Sequence, residues 1–131
     1  MKTALFIDLS AIVPLQYEKE FISTIKQKIP GIQTLDLDSD SDSMLFSYAG
    51  NMIKDSEKSV ILIKADKDSK TRSMYGLADI LVKNKEKVLV LFEGENQILE
   101  KMLSVLHKSF YKDLSLIDFI TTSEDFLKNG Q

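Results

Sequence analysis

Residues 59–92 have the sequence SVILIKADKDSKTRSMYGLADILVKNKEKVLVLF, in which a segment of helical periodicity lies between two apolar runs. Residues 59–65 and 87–92 are nearly uninterrupted apolar runs of strand length, which is typical of strands buried on both faces of a sheet. Between them, apolar residues recur at the spacing of an amphipathic helix, at Met74, Leu77, Ala78, Leu81 and Val82. The stretch therefore predicts a β-α-β unit with parallel strands.

The same alternation continues in both directions from this unit. Further strands are predicted at residues 3–9, 32–37 and 114–120. The second and fifth strands mix polar and apolar residues, as expected at the edges of a sheet, and right-handed crossovers then give the flavodoxin-like strand order 2-1-3-4-5. We therefore expect one α/β domain over residues 1–131, a three-layer α/β/α sandwich on a five-stranded parallel sheet.

Helical segments connect the predicted strands. The second helix has an apolar stripe at Leu45, Tyr48, Ala49, Met52 and Ile53. Ser41 or Asp42 is expected to cap its first amides. The fourth helix is predicted to continue to Leu106 and to include His107, and a short last helix is predicted after Ser123.

The composition excludes several classes of function. The 131 residues carry a formal net charge of −3, so a nucleic-acid partner is not expected. The absence of cysteine removes disulfide frameworks, thiol nucleophiles and cysteine-based zinc sites. No apolar run reaches the roughly 18 residues of a membrane-spanning helix, and the first residues lack a signal-peptide core. We therefore expect a cytoplasmic protein without membrane contact.

Polar residues follow several of the predicted strands. In a sheet of this order, ligands bind outside the carboxyl ends of the strands, near the switch point between strands one and three. Asp8 and Ser10 follow strand one, Asp66 follows strand three and Glu93 follows strand four, so we predict that these four residues bind a ligand. No glycine-rich turn follows strand one, which argues against a phosphate cradle. No cofactor and no metal ligand are predicted.

Two resemblances concern acidic residues near this edge. The size and topology resemble receiver domains of two-component signalling, which would make Asp66 the phosphate acceptor. Asp8 has no acidic neighbour and no lysine follows the fifth predicted strand, so an active receiver is not expected. Asp66-Lys67-Asp68 resembles the paired acids with which Toprim domains hold Mg²⁺, although no Glu-Gly pair follows strand one. A Mg²⁺-dependent Toprim-like domain stays as an alternative.

The middle of the chain, residues 31–95, resembles TIR-like domains and nucleoside deoxyribosyltransferases. Residues 31–38 are similar to that family's Gly-Ile strand and acidic loop, and IKDS at 53–56 is similar to its Ile-x-x-Ser motif. SMYGLADI at 73–80 resembles its Ser-x-Trp-Cys-x-x-Glu-Leu segment. The resemblance implies that Asp79 replaces the Glu that helps enzymatic members cleave an N-glycosidic bond of NAD or a nucleoside. It also implies that Tyr75 replaces the aromatic residue, so these two are the predicted catalytic residues.

Two classes of function follow from the sequence. Asp79 is shorter than the Glu it would replace, and such a displacement of a carboxylate weakens catalysis. We therefore expect a non-catalytic signalling or protein-interaction module, TIR-like in outline, with a protein partner or self-association through a helix face or an edge strand. The alternative is a small enzyme with a nucleotide or nucleoside ligand, which would use Asp79 near Tyr75, Asp8 and Ser10.

Overall fold

The structure, a computed structural model, describes residues 1–10, 15–38, 41–111 and 115–128 of the chain. Strands and helices alternate along it, as the sequence predicts. The strands are β1 (Lys2–Asp8), β2 (Gln33–Asp38), β3 (Lys58–Ala65), β4 (Val88–Gly94) and β5 (His107–Tyr111). The helices are α1 (Leu15–Lys28), α2 (Ser43–Asp55), α3 (Met74–Lys83), α4 (Gln97–Met102) and α5 (Leu116–Lys128), with one turn of 3₁₀-helix at Lys85–Lys87.

The strands form one parallel sheet in the order β2-β1-β3-β4-β5. The first four strands lie where the sequence predicts, in the order 2-1-3-4, which confirms the α/β class and the parallel sheet. Most residues of β1, β3 and β4 are buried because helices cover both faces of the sheet. By contrast, β2 lies at one edge, and Leu37 is its one fully buried residue.

The segment predicted for the fifth strand is wrong. Residues His107–Tyr111 pair with β4, whereas residues 116–120 of the predicted strand begin α5. The buried residues of α5 include Phe119, Ile120, Ser123 and Leu127, which share one helical face. Phe119 stacks on Phe21 of α1, with ring centroids 4.6 Å apart. The apolar residues of this segment therefore pack one helix against another, a contact that a local pattern cannot distinguish from burial in a sheet.

The predicted fourth helix is also too long. α4 ends at Met102, a turn follows, and His107 is the first residue of β5 rather than part of a helix. The last helix begins before Ser123 instead of after it. These three differences have one origin. The fifth strand was predicted too late in the chain, so too many residues were assigned to the helix before it and too few to the helix after it.

Two apolar cores lie on opposite faces of the sheet. One joins the sheet to α2, α3 and α4 and includes Leu5, Ile7, Ile53, Ile61, Ile63, Leu77, Leu81 and Phe92. The other joins the sheet to α1 and α5 and includes Phe6, Phe21, Ile25, Leu62, Leu91 and Phe119. Because successive residues of a strand point to opposite faces, neighbouring positions of β1 and β3 belong to different cores.

Both ends of α2 have polar partners. The Asp42 side chain accepts a hydrogen bond from the Leu45 amide at 3.0 Å, which confirms the predicted cap. At the other end, Lys87 Nζ donates to the carbonyl oxygens of Lys54 at 2.9 Å and Ser56 at 2.8 Å. A lysine in this place satisfies carbonyl groups that have no partner within the helix.

The described part of the chain holds no helix with the length and apolar character needed to cross a membrane.

Candidate functional site

Four charged residues stand in register at the carboxyl end of the sheet. Asp38, Asp8, Lys64 and Glu93 are successive partners across β2, β1, β3 and β4. Side chains in register on parallel strands point to the same face. The preceding residues of these strands belong to the core under α2 and α3, so this charged row lies on the α1–α5 face. The row combines three carboxylates with one ammonium group, and its net charge is negative.

Asp8 is the most buried member of this charged row, with 6% of its surface exposed. Its Oδ1 accepts hydrogen bonds from the Ser10 amide at 2.9 Å and the Ser10 hydroxyl at 2.5 Å. Its Oδ2 is buried and has no hydrogen-bond partner in the described part of the chain. A buried carboxylate oxygen without a donor is destabilising, and such atoms are rare in folded proteins. Asp8 and Ser10 therefore lie together at the predicted switch point, and Oδ2 of Asp8 has no donor among the described residues.

Lys64 and Glu93 form an ion pair next to Asp8. Lys64 Nζ lies 3.3 Å from Glu93 Oε1, and the two side chains are 18% and 11% exposed. Lys64 is in register with Asp8 on one side and with Glu93 on the other. The predicted ligand residue Glu93 thus lies in the same row as Asp8, and its charge is balanced by a cation of the chain itself.

Asp66 has a structural role in the turn after β3. Its Oδ1 accepts from the Asp68 amide at 3.1 Å and from the Ser69 hydroxyl at 3.0 Å, which closes the turn. Its carbonyl oxygen accepts from Asn96 Nδ2 at 3.0 Å, and Asn96 also caps α4. In this turn, Asp68 contacts the Asp66 carboxylate through its backbone amide. Across residues 1–10, 15–38, 41–111 and 115–128, no three side chains of the His, Cys, Asp or Glu type are grouped as a metal site would need.

The predicted catalytic residues Tyr75 and Asp79 lie on the exposed side of α3. Asp79 is 63% exposed and pairs with Lys83 one turn later, with an N–O distance of 3.0 Å. Tyr75 is also mostly exposed. Asp8 lies at the end of β1, buried under the opposite layer of helices. The structure thus brings Asp8, Ser10 and Glu93 to one edge and leaves Tyr75 and Asp79 outside that group.

An apolar surface on α2 was not singled out by the sequence. Met44, Leu45 and Tyr48 are 78%, 41% and 58% exposed, although the periodicity assigns Leu45 and Tyr48 to the buried stripe. The apolar stripe is wider than the buried face of the helix, whose buried residues are Phe46, Ala49, Gly50, Met52 and Ile53. The sequence did contain a signal for this surface, because the apolar stripe of α2 is wider than one buried helical face.

A groove of about 430 Å³ runs along the outer edge of β2, beside these residues. One wall is formed by Leu45, Tyr48 and Met52 of α2, the floor by residues 32–35, and the other side by Lys26 of α1. Partial burial raises the pKa of Asp36 on the same strand, and the nearby Lys26 ammonium acts in the opposite direction. We call Met44, Leu45, Tyr48 and this groove the α2–β2 surface.

A second groove, of about 340 Å³, lies on the other side of α2. It separates α2 from α3 and is lined by Phe46, Ser47, Arg72, Gly76 and Ile80, among others. The exposed side of α2 therefore stands between two grooves.

Comparisons with known proteins give the fold alone. No family model matches this chain, and no curated protein matches it. Among solved structures, the lysine decarboxylase LdcF of Francisella novicida is similar in fold, with a TM-score of 0.51 and 18% sequence identity. The match covers 98% of this chain and 17% of the decarboxylase chain. This chain thus spans less than a fifth of the length of that enzyme.

Proposed function

We propose that this chain is a non-catalytic signalling or protein-interaction module, TIR-like in outline, that acts through the α2–β2 surface. The observation that carries the proposal is the exposure of three large apolar side chains on one helix, next to a groove along the edge of the sheet. Single exposed apolar residues are ordinary, whereas a contiguous group beside a groove is typical of a surface that another protein covers.

The positions of the predicted catalytic residues support a role in protein–protein contact rather than in catalysis. A general acid or base needs a position within hydrogen-bond reach of a substrate held in a concave site. Asp79 instead pairs with Lys83 in solvent, on a different layer from Asp8 and Ser10. The residues of the TIR-like motif therefore do not assemble with the carboxyl-end residues into one site.

The proposal is tested by photo-crosslinking from Tyr48. A benzophenone amino acid placed at position 48 of the full chain, in its own host cells, should form discrete covalent adducts with a protein on irradiation. Leu45→Lys in the same chain should suppress these adducts, because a charge in the apolar contact must be desolvated on binding. Adducts are read by gel mobility and identified by mass spectrometry.

Ile117 provides the matched control for this experiment. It is a large apolar residue, 77% exposed, on α5 in the opposite helical layer. The same probe at position 117 should give only diffuse background. Equal adduct patterns from positions 48 and 117 would contradict an interaction surface at α2 and β2.

A second candidate function is supported by Oδ2 of Asp8, the buried oxygen that has no donor within residues 1–10, 15–38, 41–111 and 115–128. This candidate is the small enzyme with a nucleotide or nucleoside ligand, bound at the carboxyl end of the sheet. A buried acceptor beside a hydroxyl and an ion pair suits a ligand that donates a hydrogen bond, such as a ribose hydroxyl. Its support is limited to Asp8, Ser10 and the Lys64–Glu93 pair.

Asp8→Asn separates this candidate from the interaction module. In a thermal-shift screen with NAD, nucleosides and nucleotides, a ligand at 100 times its Kd should stabilise the wild-type protein by about 2.7 kcal/mol. Asp8→Asn should abolish that shift because an amide in place of the carboxylate removes the charge and one acceptor. Asp79→Asn, a change on the exposed face of α3, should retain it. The absence of a shift in the wild-type protein would count against the enzyme.

A further inference from the structure

We propose that the partner at the α2–β2 surface is a second copy of this chain, whose β2 adds antiparallel to the first β2 and continues the sheet across a two-fold axis. This inference rests on the proposed function and identifies its partner. It has three parts: an edge that accepts a strand, a groove that sets the chemistry of that strand, and a β2 sequence that meets this chemistry.

Within the part of the chain that the structure describes, the outer edge of β2 is open to strand addition. β2 is bonded to β1 on one side only and is the terminal strand of the order found among the described residues. An edge strand presents a row of backbone N–H and C=O groups that can pair with another extended chain. The groove lies at this edge, and residues 33–35 of β2 are part of its lining.

The two sides of the groove have different chemistry. Leu45, Tyr48 and Met52 make the side under α2 apolar, and Lys26 makes the side under α1 basic. Side chains of an incoming strand alternate between these two sides. The groove is therefore complementary to a strand with apolar residues on one face and acidic residues on the other.

β2 itself has this alternation. Leu35 and Leu37 belong to the core under α2, so their side chains lie on the apolar side. Asp36 and Asp38 alternate with them and lie on the side of α1. A two-fold axis perpendicular to the sheet keeps each face of the sheet continuous between the copies. Leu35 of the second copy then lies on the apolar side, and Asp36 of the second copy lies on the side of Lys26.

Repulsion between aspartates favours one register of the β2–β2 pair. With the axis at Leu35, Asp36 of the second copy stands opposite Thr34, a residue of the same groove as Lys26. Moving the axis to position 36 or 37 places aspartates directly opposite one another, an unfavourable cross-strand pair. An axis at position 34 pairs Leu37 with Gly31, which lies outside β2.

The acidic residues of β2 also account for specificity. Charged side chains on an edge strand normally prevent pairing with other chains. Here Lys26 offsets the charge of an incoming Asp36, and the two-fold axis repeats this contact in both copies. A strand with a basic residue at the same place would meet repulsion from Lys26.

Charge exchange between the copies tests the proposal. The dimer dissociation constant of the purified full chain is measured by sedimentation equilibrium. Lys26→Glu alone and Asp36→Lys alone should each raise it about tenfold or more, since each turns two symmetry-related attractions into repulsions.

An equimolar mixture of the two variants should dimerise again. In the mixed dimer, the glutamate introduced by Lys26→Glu in one copy faces the lysine introduced by Asp36→Lys in the other. The second contact joins the two unchanged residues, Lys26 of one copy and Asp36 of the other, so both contacts are attractive. Contacts within one copy are unchanged by mixing, so they cannot produce this rescue.

The outcomes separate this inference from the proposed function. Rescue on mixing supports the β2–β2 dimer. A wild-type chain that stays monomeric at all concentrations, or variants that dimerise unchanged, would overturn it. If position 48 then still crosslinks to a different protein, the interaction module stands with another partner. If position 48 gives no adduct either, both proposals fail. Circular dichroism of each variant establishes that a loss of dimer is not a loss of fold.

Discussion

Gly94→Ala is expected to lower the free energy of unfolding by about 3 kcal/mol or more, a large effect for one added methyl group. Gly94 ends β4 with φ of +109°, in a region that residues with a side chain rarely adopt. A Cβ at this position would also overlap the carbonyl oxygen of Ala65, the residue in register with it on β3. That oxygen accepts from the Glu95 amide at 3.1 Å, so the backbone there cannot shift without losing this bond.

Gly76→Ala is the matched control for Gly94→Ala. Gly76 lies in α3, and an added Cβ there meets no atom within 4 Å. Alanine favours the helical backbone, so this variant should be more stable than the wild-type protein by roughly 0.5–1 kcal/mol. Urea unfolding followed by circular dichroism at pH 7 measures both variants. A loss of less than about 1 kcal/mol for Gly94→Ala would show that the strand end relaxes without strain.

Lys64→Met is expected to destabilise the protein by about 3 kcal/mol. Methionine has a similar length and fills the space, but it leaves Glu93 without the cation that stands 3.3 Å away. Asp8 already has one buried oxygen without a donor in the described part of the chain, and the charged row would then hold three carboxylates and no ammonium group. Uncompensated charges in a largely buried site are costly because water cannot solvate them.

The exposed pair Lys83–Asp79 is the control, because it shows the effect of losing an ion pair that is not buried. Its N–O distance, 3.0 Å, is shorter than that of Lys64–Glu93, but its side chains are 72% and 63% exposed. Lys83→Met should change the free energy of unfolding by no more than about 0.5 kcal/mol, because solvent screens the pair. The double variant Lys64→Met/Glu93→Leu should recover much of the loss, since it also removes the carboxylate that Lys64 neutralises. Equal losses for Lys64→Met and Lys83→Met would contradict the role assigned to burial.

The site residues were predictable to different degrees. Asp8, Ser10 and Glu93 follow strands whose apolar character is strong, so the topology rule alone places them at one edge of the sheet. The role of Asp66 was not predictable, because the choice between a ligand and a turn depends on whether Ser69 and the Asp68 amide reach its carboxylate. The pairing of Lys64 with Glu93 depends on the register of β3 and β4, which local sequence does not encode.

The sequence alone was sufficient to predict the β-α alternation, the four strands β1 to β4 with their order, and a cap of α2 at either Ser41 or Asp42. These features follow from local apolar periodicity and from the short reach of a capping side chain. The tertiary structure alone decided which segment forms β5, because a short edge strand needs only β4 beside it and carries little apolar signal. It also decided that Leu45 and Tyr48 are exposed and that an oxygen of Asp8 lacks a donor within the described residues. Exposure and hydrogen bonding depend on what the rest of the chain brings near a residue, and the sequence around that residue does not contain this information.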